Sequence, residues 1–95
     1  MKKEKVETLE QARTAIDQID QKMIELIALR QFYVDQAARF KHTIQDVQAP
    51  ERKQAVLKNV RALAQQQGVD PDLVEQLFEE MIQHFIRREL KEIRP

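Results

Sequence analysis

Four charged side chains, Arg30, Lys41, Arg52 and Glu89, occupy helix positions where the hydrophobic pattern calls for apolar residues. Three cations and one acid facing inward leave an uncompensated charge of about two, and each ion loses several kcal/mol of hydration in a low-dielectric core. A small dianion would balance that charge, because Arg binds a carboxylate through two parallel hydrogen bonds and Lys adds a point donor. The residue types therefore predict a pocket for a small dicarboxylate.

A simpler interpretation is that these side chains bury their stems and reach water at the edges of the apolar faces, with Glu89 paired to one cation. For any single residue this is the ordinary expectation, since long charged side chains commonly cover apolar surface. Four such residues together weaken it and favour the pocket. Arg13 lies at the margin of the first apolar face, and the pattern alone does not assign it to the pocket.

The element that carries the first of these charges is a long amphipathic helix. Thr8 and Gln11 form a capping box, which predicts a helix that begins near Leu9. Apolar residues then follow in steps of three and four, and nothing breaks the helix before about Lys41 or His42.

Two shorter helices follow, and no strand is predicted. Pro50 suits the first turn of a second helix that ends at Gly68, the only glycine. Asp70 then caps a third helix with Pro71 in its first turn. The fold class is all-α, with one long and two shorter helices in each chain.

Helical geometry places the charges on the apolar faces. At 100° per residue, Arg30 and Lys41 lie within about 40° of the centre of the first apolar face. Arg52 lies on the apolar side of the second helix, and Glu89 lies about 20° from Phe78 on the third.

The length of the first helix predicts an assembly. About 34 residues at 1.5 Å each give a rod of about 50 Å, which neither shorter helix can cover. An apolar face left open over that length would be an exposed patch, and a second copy of the chain would cover it. We therefore expect an intertwined six-helix homodimer.

Composition sets the wider limits. The 95 residues, 42% of them hydrophobic, fit one small domain that spans 1–95, and its ends at 1–7 and 93–95 are expected to be frayed. The net charge of zero argues against nucleic acid and anionic membranes as partners. No cysteine, secretory leader or membrane-length apolar run is present in the sequence, which favours a cytoplasmic protein.

The same residues resemble the all-helical chorismate mutase family over about residues 6 to 91. The motifs that carry the resemblance are Arg13 with Ile16-Asp17-x-Ile19-Asp20, Leu26-x-x-x-Arg30, Arg39-Phe40-Lys41, Ala49-Pro50-Glu51-Arg52, and Leu77-Phe78 through Glu89. The resemblance implies an intertwined dimer, no cofactor and no metal. It also implies two active sites shared between the chains, with Arg30, Lys41, Arg52 and Glu89 from one chain and Arg13 from the other.

The implied reaction is the Claisen rearrangement of chorismate to prephenate, a step of aromatic amino acid biosynthesis in the shikimate pathway. It needs a clamp on the reactive conformation and stabilisation of negative charge on the breaking ether oxygen. By the resemblance, Arg13 and Arg30 clamp the carboxylates, Lys41 donates to the ether oxygen and a carboxylate, and Arg52 adds positive potential.

Two departures from the family pattern change the expectations. The better-known bacterial members of the family have Gln where this chain has Glu89, although some mutases of the family carry Glu there. A carboxyl donates a hydrogen bond only when protonated, so Glu89 predicts activity that rises as pH falls. Ala49 and Lys53 stand where many mutases have acidic residues that contact the ring hydroxyl, so that contact must be replaced or is missing.

Two other functions stay open. The segments around Lys41 and Arg52 are similar to the isochorismate pyruvate lyase branch of the same fold, which makes salicylate and pyruvate. That branch has Gln at the position of Glu89, so Glu89 favours the mutase. A non-catalytic helical dimer would instead tolerate the replacement of Arg30 or Lys41 by Met.

Overall fold

The computed structural model describes residues 3–92, and every regular element in that range is helical. The elements are α1 (Leu9–Ala38), α2 (Ile44–Gln48), α3 (Pro50–Gln67) and α4 (Pro71–Glu92). One long and two shorter helices are thereby confirmed, and α2 is a five-residue addition. Residues 1–2 and 93–95 of the predicted frayed ends lie outside the described residues.

The predicted helix boundaries are confirmed at four ends, one of which is the start of α3 at Pro50. The Thr8 hydroxyl accepts from the Gln11 N–H at 3.0 Å, and α1 begins at Leu9. Gly68 ends α3 in the left-handed region (φ 72°), which glycine adopts without strain, and its N–H donates to the carbonyls of the last turn. Asp70 accepts from the N–H of Asp72 at 2.9 Å, and α4 begins at Pro71.

The first helix is shorter than the sequence predicts, and this is a correction. It ends at Ala38 after 30 residues, so Lys41 lies in a loop and not on the apolar face of α1. The N–H groups of Arg39, Phe40 and Lys41 each donate to the carbonyl three residues earlier, at 3.0 to 3.2 Å. These bonds tighten and finish the helix, because they satisfy its last carbonyls without extending the α-helical ladder.

The chain separates into two compact units, one up to Asp35 and one from Gln36 onward. In the first, α1 has no buried residue in the single chain, and its large apolar side chains are exposed, including Leu9, Ile16, Met23, Leu26 and Tyr33. The apolar face of α1 is therefore uncovered in the single chain, and it is the face that a second copy was predicted to cover. The homodimer and the single-domain organisation stay predictions.

In the second unit, α4 packs against both α3 and α2. The buried apolar side chains are Val47, Leu57, Val60, Ala64 and Phe85. Burying a large apolar side chain contributes about 1.5–3 kcal/mol, so this small core holds α2 and α3 on α4. At the far end, Arg61 donates to Asp72 at 2.9 Å and ties α3 to the start of α4.

None of the helices in the described part of the chain has a long enough apolar stretch to cross a bilayer.

Candidate functional site

An ion pair inside the second unit joins two of the predicted site residues. Lys41 Nζ donates to Glu89 Oε2 at 3.2 Å. Glu89 is 6% exposed and lies one turn after the buried Phe85, so it faces the core of its unit as the sequence predicts. A buried carboxylate requires a charged partner, and Lys41 supplies it from the loop before α2.

Lys41 also lines an open pocket of about 450 Å³. The lining residues are Phe40, Lys41, Gln45, Asp46, Ala49, Pro50, Glu51 and Arg52. They come from the residues that follow α1, from α2 and the residue after it, and from the first turn of α3. The pocket therefore presents two cations, the two carboxylates of Asp46 and Glu51, and the ring of Phe40, and Lys41 reaches the buried Glu89 beside it. Lys41 and Arg52 are the groups that can bind a small organic anion there.

Arg52 lines the pocket but is exposed, which corrects the prediction that it points toward the core. The face of α3 that meets α4 runs through Lys53, Leu57 and Val60, in steps of four and three. Arg52 precedes Lys53 and is therefore turned about 100° away from that face. The prediction rested on Val56, which follows Arg52 by one turn and was taken as part of the apolar face; the structure buries Leu57 and leaves Val56 half-buried.

Lys53 links α3 to α4 through its side chain. Its ammonium forms an ion pair with Glu79 and donates to Gln83 Oε1 at 3.3 Å, both on α4. Ala49, the other position where an acidic residue was expected from the resemblance, lies in the left-handed region (φ 36°) between α2 and α3. Neither residue offers a carboxylate to a ring hydroxyl.

Sequence reasoning missed the short helix α2 and the carboxylate that caps it. Asp46 Oδ2 accepts from the N–H groups of His42 and Thr43, at 3.0 and 3.2 Å, while Thr43 Oγ1 accepts from the Asp46 N–H at 3.0 Å. The hydrogen bond from His42 contributes most to lowering the pKa of Asp46 below its ordinary value, since it favours the charged carboxylate. Thr43 followed by Asp46 three residues later was the signal for this cap.

The remaining predicted binding residues, Arg13 and Arg30, lie on α1 in the first unit. Arg13 is exposed and Arg30 is half-buried. Their part in the site stays a prediction, because it depends on an assembled dimer.

No cluster of His, Asp and Glu suited to a metal ion occurs within residues 3–92. The expectation that the protein uses no metal and no cofactor stays a prediction.

Comparison with known proteins places these features in a family. Residues 12–90 match the family described as chorismate mutase type II. That match includes Arg13, Arg30, Lys41, Arg52 and Glu89.

Three curated proteins are similar to the chain. An isochorismate pyruvate lyase of Pseudomonas aeruginosa is 37% identical over 79 residues, which cover 83% of this chain and 78% of that protein. A chorismate mutase of Methanocaldococcus jannaschii is 30% identical over 80 residues, which cover 83% and 81%. The T-protein of Haemophilus influenzae is 35% identical over 74 residues, 77% of this chain and 20% of that larger protein.

Proposed function

The chain belongs to the chorismate mutase type II family, and we propose that it catalyses the rearrangement of chorismate to prephenate. The observation that carries this proposal is the Lys41–Glu89 pair beside a pocket that Arg52 also lines. Lys41 and Arg52 supply hydrogen-bond donors and positive charge where an anionic substrate can bind, and Glu89 holds the ammonium of Lys41 beside the pocket.

The proposed reaction is pericyclic: one C–C bond forms as the ether C–O bond breaks, with no protein nucleophile. A protein accelerates such a step by holding the reactive conformation and by stabilising charge that develops on the ether oxygen. Lys41 donates to that oxygen and to one carboxylate. Arg52, which lines the pocket, supplies positive potential, and the exposed ring of Phe40 gives the substrate an apolar wall.

Glu89 has two states in this proposal. As a carboxylate it accepts from Lys41 and cancels part of the positive potential that the substrate needs. As a neutral acid it frees the ammonium for the substrate and can itself donate to the ether oxygen. Activity should therefore rise as pH falls.

A second copy of the chain completes the proposed site. The exposed apolar side chains of α1 provide the surface for it, because burying them in a dimer removes a long apolar face from water. Arg30 then clamps a substrate carboxylate from the same chain as Lys41, and Arg13 enters from the partner chain.

A second candidate function is isochorismate pyruvate lyase, with salicylate and pyruvate as products. It is favoured by the 37% identity to a protein of that name. It is also favoured by Ala49 and by Lys53, whose ammonium is held by Glu79, since neither provides the acidic contact expected of many mutases. The same cations would bind either dianion.

Turnover of both substrates separates the candidates. The purified protein is given chorismate and, separately, isochorismate at acidic and neutral pH, and products are identified by chromatography with mass detection. Prephenate from chorismate as the faster reaction supports the mutase. Salicylate and pyruvate from isochorismate at a much higher rate overturn it in favour of the lyase.

Turnover of neither substrate by the wild-type dimer would refute both enzymes and leave a non-catalytic helical dimer. A Lys58→Ala variant serves as a matched control throughout, because Lys58 is an exposed lysine on α3 that does not line the pocket. It should behave as the wild type does.

A further inference from the structure

The backbone that follows Lys41 is held by hydrogen bonds to a side chain from α2. Asp46 Oδ2 accepts from the next two backbone N–H groups, those of His42 at 3.0 Å and Thr43 at 3.2 Å. Thr43 Oγ1 accepts from the Asp46 N–H at 3.0 Å, so the two residues hold each other. Three hydrogen bonds thus fix a stretch of chain that no α-helical ladder supports.

This stretch is anchored on both sides. The N–H of Lys41 donates to the carbonyl of Ala38 at 3.1 Å, which ties it to the end of α1. Val47, next to Asp46, is 3% exposed and lies in the core under α4. Asp46 therefore connects the backbone next to Lys41 to Val47, which cannot move unless the core opens.

The ammonium of Lys41 depends on that connection. A lysine side chain has four rotatable bonds and reaches a defined point only if its backbone is fixed. Here the point is set by Glu89 Oε2, 3.2 Å from Nζ, and by the pocket that Lys41 lines. A free loop between α1 and α2 would sample several directions for the Cα–Cβ bond of Lys41.

We propose that Asp46 is a positioning residue, whose carboxylate fixes the backbone after Lys41 so that the ammonium is aimed at Glu89 and the pocket. The catalytic part of this inference rests on the proposed function. The side chain of Asp46 acts through its hydrogen-bond acceptor, and its charge is secondary.

Two substitutions separate the acceptor from the charge. Asp46→Ala removes both, and displacement of an aimed donor lowers kcat about ten- to a hundred-fold. Asp46→Asn keeps a carbonyl oxygen that can accept from the same N–H groups, and it should retain kcat within about three-fold. If the carboxylate acted only by weakening anion binding near Lys41 and Arg52, both variants would instead lower KM alike and leave kcat unchanged, which would overturn the proposal.

The other half of the cap gives an independent pair. Thr43→Ala removes the hydroxyl that accepts from the Asp46 N–H and should lower kcat in the same direction, while Thr43→Ser should restore it. This pair keeps the inference testable if Asp46→Ala does not fold. An undiminished kcat in folded Asp46→Ala or Thr43→Ala would overturn it.

Loss of a helix cap elsewhere provides the matched control. Asp70 makes the same kind of bond at the start of α4, where it accepts from the Asp72 N–H at 2.9 Å. Asp70→Ala should lower the unfolding midpoint as Asp46→Ala does, yet leave kcat and KM at the wild-type values when both are assayed well below their midpoints.

An NMR readout keeps this inference distinct from the proposed function. In the wild type, the amide signals of His42 and Thr43 should be single and protected from hydrogen exchange, and Asp46→Ala should remove that protection. Protection with no turnover of chorismate or isochorismate would refute the function and leave the backbone role intact. Equal exchange in wild type and Asp46→Ala would refute the inference even in an active enzyme.

Discussion

Lys41 Nζ lies 3.2 Å from Glu89 Oε2, which joins the loop before α2 to the last turns of α4. The acid is buried and the ammonium is half-buried, and each compensates the charge of the other. A substrate anion that needs Lys41 must compete with Glu89 for it. This competition determines how the pocket should respond to pH and to substitution.

Glu89→Gln should flatten the pH profile of the enzyme. The amide does not neutralise Lys41 and donates a hydrogen bond at any pH, so the rise in kcat/KM toward acid that is expected of the wild type should be absent from the variant. The measurement is kcat/KM for chorismate from pH 5 to 8.

Glu80→Gln, an exposed substitution on the same helix, should keep the wild-type profile. An acid-side rise that persists in Glu89→Gln would assign it to another group.

Lys41→Ala should lower kcat/KM by about 10²–10³-fold, the loss typical when one donor to a developing oxyanion is removed. Lys41 lies outside the helices, so the helical content should stay close to that of wild type well below the unfolding midpoint, although the midpoint falls because Glu89 loses its partner. Steady-state kinetics and circular dichroism measure the two effects.

The double variant Lys41→Met/Glu89→Met distinguishes the enzyme from a purely structural dimer. A structural dimer would fold as well or better with Met at both positions, because no unpaired charge is then left in the core, and binding of a dicarboxylate would be irrelevant to it. A Lys41 variant that kept most of its turnover would remove this residue from the mechanism.

The protein should be a dimer at micromolar concentration by light scattering. Ile16→Asp, in the exposed apolar face of α1, should dissociate it, because a charge would have to be buried at the interface. Gln18→Asp adds a charge at a polar position of the same helix and should leave the dimer intact. A compact wild-type monomer would contradict the assembly.

Shared active sites give a second measurement on the same dimer. Arg13→Ala and Arg52→Ala chains should each be nearly inactive alone. Refolded together in equal amounts, half of the dimers are mixed and one of their two sites has both arginines, so about one quarter of wild-type activity should return. No recovery in mixed dimers would place Arg13 outside the site of the partner chain.

Two residues in the left-handed region should respond to substitution in opposite ways. Gly68 has φ 72° and open space around its Cα, so Gly68→Ala should cost about 1 kcal/mol of unfolding free energy through backbone strain alone. Ala49 has φ 36°, and Ala49→Gly should be neutral or slightly stabilising because relief of strain offsets the added freedom of the unfolded chain. Denaturant unfolding measures both, and equal losses would contradict the backbone explanation.

The Asp46 carboxyl should titrate below its ordinary value of 3.8 in the folded protein, since the His42 N–H, and then Thr43, stabilise the charged form. A lowered folded-state pKa means that the stabilising cap is present above the unfolded pKa and is lost as pH falls through the folded pKa. Carboxyl NMR titration of the native and urea-unfolded chain measures the difference. Thr43→Ala should raise the native midpoint, and identical midpoints in the two states would contradict this prediction.

Much of the fold followed from local chemistry in the chain. Thr8, Gly68 and Asp70 set helix ends because their side chain or backbone freedom satisfies the terminal N–H and carbonyl groups wherever the helices pack. Glu89 could be placed inward because it follows Phe85 by one turn on a strongly amphipathic helix. The Thr43 and Asp46 cap was equally local, and its signal was present in the sequence.

Tertiary contacts decided where the other charges point. A hydrophobic face that includes both Val56 and Leu57 leaves its centre uncertain by one residue, and one residue rotates a side chain by about 100°. Packing of Leu57 on α4 settled that rotation, which brought Lys53 to Glu79 and left Arg52 at the pocket. The sequence by itself therefore determined the three longer helices, apart from the end of α1, and the residue types of the site. The pairing of Lys41 with Glu89 required the fold, because those residues are 48 positions apart and only packing brings them together.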